Sequence, residues 1–480
     1  MLRNPEFLRN FWLEITEHRV LATPLILGGV FFLILFSGDH NESALMATSL
    51  LLFVLITGIS GAYQAENSVV TEIQNKTWPL QRLTSINPWA MAWGKLFGSN
   101  LYSWYAGLWC LLVFVLTWIL TPDIYRVSRQ QGKGWFLLSH GIGPAVLFAV
   151  GLVLCFQALG FLIGMYHFQV NEIKTRRRSG IASIISVVVL LFIIVFLLLA
   201  KELESLNWYR WEFQLFWFSL ASLYLFLGWL MSGIYMQMRR ELQVSNPPWA
   251  WAAFKIFLLI YVMGFVQGEE GTLLGGSNLW VFRLVLGWVL MTGMTYSILL
   301  WERADGVAFR RMFHLWSSHR IRDMLHEIPR WMVGLMVTWV TAIGLMLVQS
   351  MRGEGLFLKT THGSMGAMRS WIESGETFSL YGIVVATMFF LMRDIALLLY
   401  FYFSDKPQRA LTTTFVYWIV LYLLIPLLLG VADIDTLNPV FLPGGSVNFV
   451  YAVLPPLLQA GLMWTFTIRR WRTRFGSPTV

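Results

Sequence analysis

Long apolar runs alternate with short polar segments along most of this chain. The clearest run, residues 181–200 (IASIISVVVLLFIIVFLLLA), contains no charged residue. A helix that crosses a bilayer needs roughly 20 mostly apolar residues, because in hydrocarbon its backbone amides find partners only within the segment. The pattern predicts about twelve spans, at about 20–37, 44–63, 96–120, 142–166, 181–200, 213–235, 250–267, 279–301, 331–350, 379–403, 411–432 and 448–467.

Two further segments are amphipathic. Residues 5–19 and 307–330 place apolar side chains at helical spacing and polar ones around the rest of the axis, and the second stripe slips at Ser317-Ser318. Such segments are typical of helices that lie along a membrane surface. We therefore expect an N-terminal interfacial helix (1–19), a first transmembrane half with spans one to six (20–240), and a second half with spans seven to twelve and the interfacial helix 307–330 (241–480).

Composition and charge support this class. Only 13% of the 480 residues are charged and 57% are hydrophobic, whereas soluble domains have about 25% charged residues. The sequence thus predicts an all-α polytopic membrane protein. Its net charge of +9 comes mainly from Lys and Arg in short loops, such as Arg176-Arg177-Arg178 and Arg469-Arg470, which places both termini in the cytoplasm. This placement argues against nucleic acid as the partner of the positive charge.

The longest early polar stretch is 64–95 (QAENSVVTEIQNKTWPLQRLTSINPWAMAWGKL). It connects the predicted spans two and three, and we expect it to be partly helical and rigid. A load on its polar tip would tilt both spans together, so the stretch could transmit the movement of a soluble partner.

This stretch resembles the first cytoplasmic loop in the membrane subunits of type-2 ATP-binding-cassette exporters. That loop typically has a glutamate, a Thr-containing turn, a Leu-rich stretch, a Pro-containing break and a Gly-Lys pair that begins the third span. The first interfacial helix resembles the connecting, or elbow, helix of the same family. The positions that match the family pattern are Glu66 or Glu72, Thr77 with Trp78, Leu80 with Leu83, Pro88, and Gly94 with Lys95.

The resemblance covers about the first third of the chain, and two features depart from it. Family members commonly have six spans and form pairs, whereas this chain has about twelve predicted spans. Lys76 stands where the family usually has a glycine before the threonine. A homodimer, a pair with a second permease subunit, and an asymmetric pore from a single chain are therefore all compatible with the sequence.

The resemblance implies a permease subunit of the bacterial cytoplasmic (inner) membrane that couples to a separate cytoplasmic ATPase subunit. Trp78, Leu80 and Leu83 would fill a groove in that subunit, with Lys76, Glu72 and Arg82 at the rim, since aromatic and Arg side chains carry most interface energy. The alternative is an ordinary connector that lies on the lipid headgroups and is anchored by Trp78, Trp89 and Trp93.

No ATPase motif is found in the chain itself. Gly132-Lys133-Gly134 lacks both the upstream glycine and the hydroxyl of a phosphate-binding loop. We therefore expect a transporter subunit that is not an enzyme and has no cofactor of its own, with ATP and magnesium on the partner ATPase. Cys110 and Cys155 lie inside apolar runs, so no disulfide framework or cysteine metal site is expected.

Two clusters of ionisable residues remain. His319, Asp323 and His326 share one face if 307–330 is a single helix, but the arginines around them favour contact with anionic lipid over a metal site. Arg393 and Asp394 lie within span ten, where charges are costly. Neighbouring residues point about 100° apart on a helix, so we expect that these two do not simply pair with each other and that they have partners on other spans. They form either a substrate or gating contact or a structural ion pair, unless the span ends at Met392.

The preferred interpretation is the permease of an exporter with an unidentified substrate. A gradient-driven secondary transporter is the main alternative, since it would use ionisable groups near the middle of the membrane, as Arg393 and Asp394 are. A membrane-embedded enzyme that acts on lipid-linked substrates ranks lower, because it should have clustered catalytic carboxylates or histidines.

Overall fold

The computed structural model describes most of the 480 residues. The described residues are 4–36, 41–78, 86–121, 140–170, 183–191, 205–242, 244, 246, 249–266, 279–302, 306–351, 380–404, 409–432, 437, 440–443 and 449–475. They are almost entirely helical, and they divide into two compact units, Met1–Leu206 with Trp211–Asn246, and Asn207–Arg210 with Pro247–Val480.

The first unit begins with a short helix and continues with long apolar ones. A π-helical segment, Val54–Ser60, joins α3 to α4 without a break. Residues 183–191 are also helical. The labelled helices are α1 (Pro5–Glu14), α2 (Glu17–Phe36), α3 (Asn41–Phe53), α4 (Gly61–Gln74), α5 (Pro88–Ser99), α6 (Leu101–Leu120), α7 (Ile142–Val170) and α8 (Leu215–Glu241).

A two-stranded hairpin directly precedes α8 in sequence. Its strands are β1 (Ser205–Trp208) and β2 (Trp211–Gln214). The second unit contains a second π-helical segment, Val420–Leu424. Its helices are α9 (Trp249–Met263), α10 (Leu279–Trp301), α11 (Gly306–Ser317), α12 (Ile321–Glu327), α13 (Arg330–Met351), α14 (Leu380–Tyr402), α15 (Ala410–Ile419), α16 (Ile425–Val431) and α17 (Phe449–Phe475).

The chain is an integral membrane protein. Within the described residues, 9 helices are long and apolar enough to cross a bilayer. Of the other three predicted spans, the fifth is described only at 183–191, the seventh is the 15-residue helix α9, and the twelfth is α17, whose last turns carry four arginines. Apolar side chains on these helices are widely exposed, as expected for surfaces that face lipid; examples are Leu33, Leu120 and Val431.

Close backbone contact holds α4 against α7 in the first unit. A side chain at Gly164 would place its Cβ 2.8 Å from the carbonyl oxygen of Glu66, and one at Gly160 would collide with the carbonyl of Ala62. Small residues four apart allow this approach, as they commonly do between membrane helices. Gln157, on the same side of α7, donates a hydrogen bond of 2.8 Å to the carbonyl of Thr57 within the π-helical segment.

The second unit has its own core. Helix α14 packs along α17, helix α10 packs along α13, and α9 contacts both α10 and α13. Fully buried residues of α14, including Met388, Leu391 and Ile395, lie at the centre of this packing. Two of the buried ionisable centres formed at these contacts are described below.

The predicted interfacial helix 307–330 is interrupted. Helix α11 ends at Ser317 and α12 begins at Ile321, next to the predicted slip at Ser317-Ser318. His319 between them has a φ of 54°, in the left-handed region that ends helices. The expectation that His319 shares one helical face with Asp323 and His326 is therefore wrong.

Candidate functional site

The predicted coupling loop 64–95 is largely helical. Residues 64–74 are the C-terminal part of α4, and 88–95 are the N-terminal part of α5. Residues 64–74 contain no glycine or proline, so the helix continues past the end of its apolar stretch. Leu80, Arg82 and Leu83 lie outside the described residues, and their role at a partner surface stays a prediction.

Four charged side chains from three helices form one ion network, called here the charge cluster: Glu6, Arg9, Glu72 and Lys95. Lys95 Nζ lies 3.0 Å from Glu6 Oε1 and also pairs with Glu72. Arg9 lies 2.9 Å from Glu6 Oε1 and also pairs with Glu72. The Lys95 side chain is 1% exposed, and those of Glu6 and Glu72 are 8% and 12% exposed. Two acids thus neutralise two bases; Lys95, Glu6 and Glu72 are largely removed from water, and Arg9 is 44% exposed at the edge of the cluster.

Helix α1 fits closely onto α5 beside this cluster. Asn4 caps α1 by accepting a hydrogen bond of 3.0 Å from the Glu6 amide, and it donates one of 2.5 Å to the carbonyl of Ala90. A Cβ at Gly94 would lie 2.9 Å from Glu6 Cβ, and a Cβ at Gly98 would lie 2.8 Å from Asn10 Cβ. Gly94 therefore allows the approach, and Lys95 supplies the charge that binds Glu6.

Trp78 lies inside the unit. Its side chain is 2% exposed and packs in a core with Val69, Met91 and Met238. Lys95 Nζ lies 5.3 Å from the centre of its ring, within the range of a cation–π interaction. The prediction that Trp78 fills a groove in a partner is therefore wrong. The chain turns back after Gln74 and places the indole beneath Lys95.

The turn after α4 is the exposed part of the predicted loop. Lys76 has a φ of 58°, and the amide and hydroxyl of Thr77 both donate to the carbonyl of Glu72 at 3.0 Å. A left-handed residue followed by this amide bond is the Schellman ending of a helix. The conformation of Lys76 is one that glycine favours. The tip formed by residues 74–77 is exposed.

Two other predicted site residues have local structural roles. Glu66 is fully buried on α4 at its close contact with Gly164, so its side chain does not lie on an exposed surface. Pro88 is the first residue of α5, and the Asn87 side chain caps that helix by accepting a hydrogen bond of 2.9 Å from the amide of Trp89. The Asn-Pro break is thus a helix start.

Arg393 and Asp394 form a second buried centre, on α14. Arg393 Nε and one terminal nitrogen lie 3.1 and 3.0 Å from Asp394 Oδ1, and its other terminal nitrogen donates to Gln459 at 2.7 Å. Tyr296 and Tyr422 donate to Asp394 Oδ2 at 2.8 and 2.6 Å. We call these five side chains the Asp394 centre.

The structure contradicts the expectation that Arg393 and Asp394 do not pair with each other, and it confirms the expectation of partners on other helices. The two neighbours do bind each other, because the long Arg393 side chain bends back to the carboxylate. They also have partners on other helices, since Tyr296 lies on α10, Tyr422 in the second π-helical segment and Gln459 on α17. Helix α14 continues to Tyr402, so the span does not end at Met392.

The sequence interpretation missed three charged residues. Glu6 and Arg9 were assigned to the polar face of an interfacial helix, but they bind Lys95 and Glu72; their spacing in sequence gives no sign of this. Lys255 is fully buried in α9. A lone lysine inside an apolar run was the available signal, since intramembrane charges usually have a function or a partner.

Comparison with known proteins gives no relative. No family model, no curated protein and no solved structure matches this chain.

Proposed function

We propose that this chain is the membrane-spanning permease subunit of an ATP-binding-cassette exporter in a bacterial cytoplasmic membrane, driven by a separate ATPase subunit. The charge cluster is the observation that carries the proposal. It joins α1, the C-terminal end of α4 and the N-terminal part of α5 into one block, although α1 is far from the other two helices in sequence. The exposed tip 74–77 projects from this block.

Such a block is suited to transmit force. A partner that pushes on the tip moves α4, and the ion pairs of Glu72 pass the movement to α1 and α5, because packed elements shift together rather than deform. Helix α5 is followed directly by the candidate span α6. ATP hydrolysis under the tip would thus tilt the spans that line a path for substrate.

The surface of α1 supports the same proposal. The helix buries Glu6 and Phe7 against the protein and leaves Trp12 and Leu13 exposed at 77% and 67%. In water this arrangement would be unfavourable, whereas at a membrane surface the apolar side chains insert between lipids. Helix α1 would then lie on the membrane surface and hold α4 and α5 in place, as expected for the connecting helix of the exporter family.

Affinity purification from the native membrane tests this proposal. The tagged protein should retain an ATP-hydrolysing subunit, and Lys76→Glu should weaken that association, because Lys76 lies at the exposed tip. Arg210→Glu is the matched control, since Arg210 is an exposed cation in the hairpin turn. Two results would contradict the proposal. One is that Lys76→Glu retains the ATP-hydrolysing subunit as well as Arg210→Glu does, and the other is that the wild-type preparation contains no nucleotide-binding protein.

A gradient-driven transporter is the second candidate, and the Asp394 centre favours it. A fully buried carboxylate that accepts from two tyrosines is able to exchange a proton when its partners move apart. Asp394→Asn keeps the shape and removes the titratable group. If uptake or export in vesicles follows a proton gradient and this variant abolishes that dependence while remaining folded, the second candidate replaces the first.

A further inference from the structure

Among the described residues of the second unit, Lys255 is the most buried cation that lacks an acidic partner. Its ammonium group is fully buried and lies between α9, α10 and α13. Nζ lies 2.8 Å from Thr295 Oγ1, 3.0 Å from the carbonyl of Gly334, 3.2 Å from the carbonyl of Met291 and 3.5 Å from Thr338 Oγ1. We call these four oxygen atoms the oxygen cage.

The charge in the cage is balanced by dipoles only. All hydrogen-bond partners that the structure gives Lys255 are neutral, and no carboxylate is among them in the described part of the chain. A buried charge is costly unless it is paired or well hydrogen-bonded. An ion pair would be the common solution, so a cage of neutral oxygens is a specific arrangement that requires explanation.

The two threonine hydroxyls can accept hydrogen bonds from the Lys255 ammonium group. Thr295 Oγ1 lies 2.8 Å from the Met291 carbonyl, and Thr338 Oγ1 lies 2.9 Å from the Gly334 carbonyl, each four residues earlier on its helix. A hydroxyl has one hydrogen and two lone pairs. The two hydroxyl oxygens also lie 2.9 Å apart, so one hydroxyl can donate to the other. With either hydroxyl as the donor, each oxygen keeps a lone pair for the ammonium group.

Gly334 keeps the cage open to Lys255. A Cβ at this position would lie 3.3 Å from Thr295 Oγ1 and 3.5 Å from Lys255 Nζ. The lack of a side chain therefore leaves space beside the ammonium group, and the backbone carbonyl of Gly334 is directly accessible to a cation in the cage.

We propose that the oxygen cage is a monovalent cation site of which the Lys255 ammonium group is the tethered occupant. Carbonyl and hydroxyl oxygens replace the hydration shell of the charge, as carbonyl rings do for permeating ions in channels. When the lysine side chain is absent, a free monovalent cation takes its place. This inference concerns the second unit and does not depend on the exporter proposal.

The geometry selects the class of ion. Calcium and magnesium bind oxygens at about 2.3–2.6 Å and about 2.0–2.1 Å and usually need carboxylates, which the cage lacks. The observed separations of 2.8 to 3.5 Å suit a large, weakly hydrated monovalent ion. Potassium is close in size to ammonium, so potassium is the expected free occupant.

Thermal unfolding of the purified full chain in detergent tests the proposal with Lys255→Ala. Its Tm should be about 2–4 °C higher in potassium chloride than in choline chloride at equal ionic strength, as expected for a ligand near ten times its Kd. Wild type and Lys255→Met, in which a side chain fills the site, should show no such difference. Propylammonium chloride, which restores both stem and charge, should stabilise only Lys255→Ala.

Two outcomes would overturn the proposal. One is an equal Tm of Lys255→Ala in potassium and choline chloride. The other is stabilisation by propylammonium alone, since the cage would then need an amine rather than a monovalent cation.

If Lys255→Ala yields no folded protein in either salt, a double-mutant cycle decides. Thr295→Val should lower the Tm of the wild type more than that of Lys255→Met, because its oxygen contacts the charge. Thr341→Val is the matched control: Thr341 is buried on α13 and bonds only within its own helix, so its replacement should lower both Tm values equally. Equal effects of Thr295→Val in the two backgrounds would refute the cation site.

Discussion

Lys95 and Glu6 are 89 residues apart in sequence, and their side chains form a buried ion pair of 3.0 Å. Lys95→Met keeps the volume of the side chain but leaves the carboxylates of Glu6 and Glu72 without their central cation. Breaking a buried pair in this way costs about 3–5 kcal/mol. We therefore expect a large loss of stability in a denaturant titration in mixed micelles.

The exposed pair of Arg19 and Glu14 provides the control for that prediction. Its nitrogen and oxygen also lie 3.0 Å apart, but the side chains are 50% and 34% exposed. Arg19→Met should cost less than about 1 kcal/mol, as surface pairs do. Similar losses for Lys95→Met and Arg19→Met would show that the charge cluster does not hold α1, α4 and α5 together.

Lys76→Gly should stabilise the protein. Lys76 has a φ of 58°. For a residue with a side chain the left-handed region costs about 1–2 kcal/mol of conformational energy, whereas glycine adopts it without this cost. Since glycine also gains freedom in the unfolded chain, a net increase of about 0.5–1 kcal/mol is expected. Lys76→Val should lower stability instead, because a β-branched residue tolerates this conformation poorly. Equal Tm values for both variants would rule out the helix ending described here.

Gly164→Ala should weaken the packing of α4 on α7. The new Cβ would lie 2.8 Å from the carbonyl oxygen of Glu66, and overpacking of this kind costs about 1–3 kcal/mol. Gly143→Ala, on the same helix, serves as the control because no atom lies within 4 Å of its Cβ. A lower Tm for Gly164→Ala alone is the expected result, and a lower Tm for both variants would point to a general intolerance of α7.

Tyr422→Phe should destabilise the second unit without removing any charge. The phenol donates a hydrogen bond of 2.6 Å to Asp394 Oδ2, and hydrogen bonds to charged groups contribute about 1.5–3 kcal/mol. Tyr417→Phe is the comparison, since that side chain is 47% exposed. Denaturant midpoints of the two variants give the difference; no loss for Tyr422→Phe would mean that Asp394 does not depend on this partner.

The apolar runs made most of the helices predictable. Runs of about 20 residues have few alternatives to a helix in a bilayer, so the bounds of α2, α6 and α14 lie close to those expected from the sequence. The end of span two was not predictable by this criterion, because α4 continues as a helix after its sequence becomes polar. The helix ends at Gln74. The turn that follows, with Lys76 in the left-handed region and Thr77 bonded to the carbonyl of Glu72, sets this end.

The candidate site was only partly predictable. Gly94 and Lys95 stood out by their place before span three, but their partner Glu6 could not be inferred, since long-range pairing leaves no trace in local spacing. Trp78 is predicted to lie at a partner surface as part of the coupling loop, and the fold buries it. Lys255 was visible as a lone charge in an apolar run. Two of the four oxygens that hold it are backbone carbonyls, which every sequence has, and the other two are hydroxyls of threonines distant in sequence.

Photo-crosslinking from position 75 tests the central claim most directly. Asn75 lies in the exposed tip beside Thr77, and a photoreactive residue there should crosslink to an ATP-binding subunit in native membranes. Leu33, which is 69% exposed on the candidate span α2, is the control position and should crosslink to lipid only. Crosslinks to the ATPase from position 75 alone are the predicted result. If position 75 yields only lipid adducts while the protein is folded, the tip does not contact an ATPase and the coupling role is wrong.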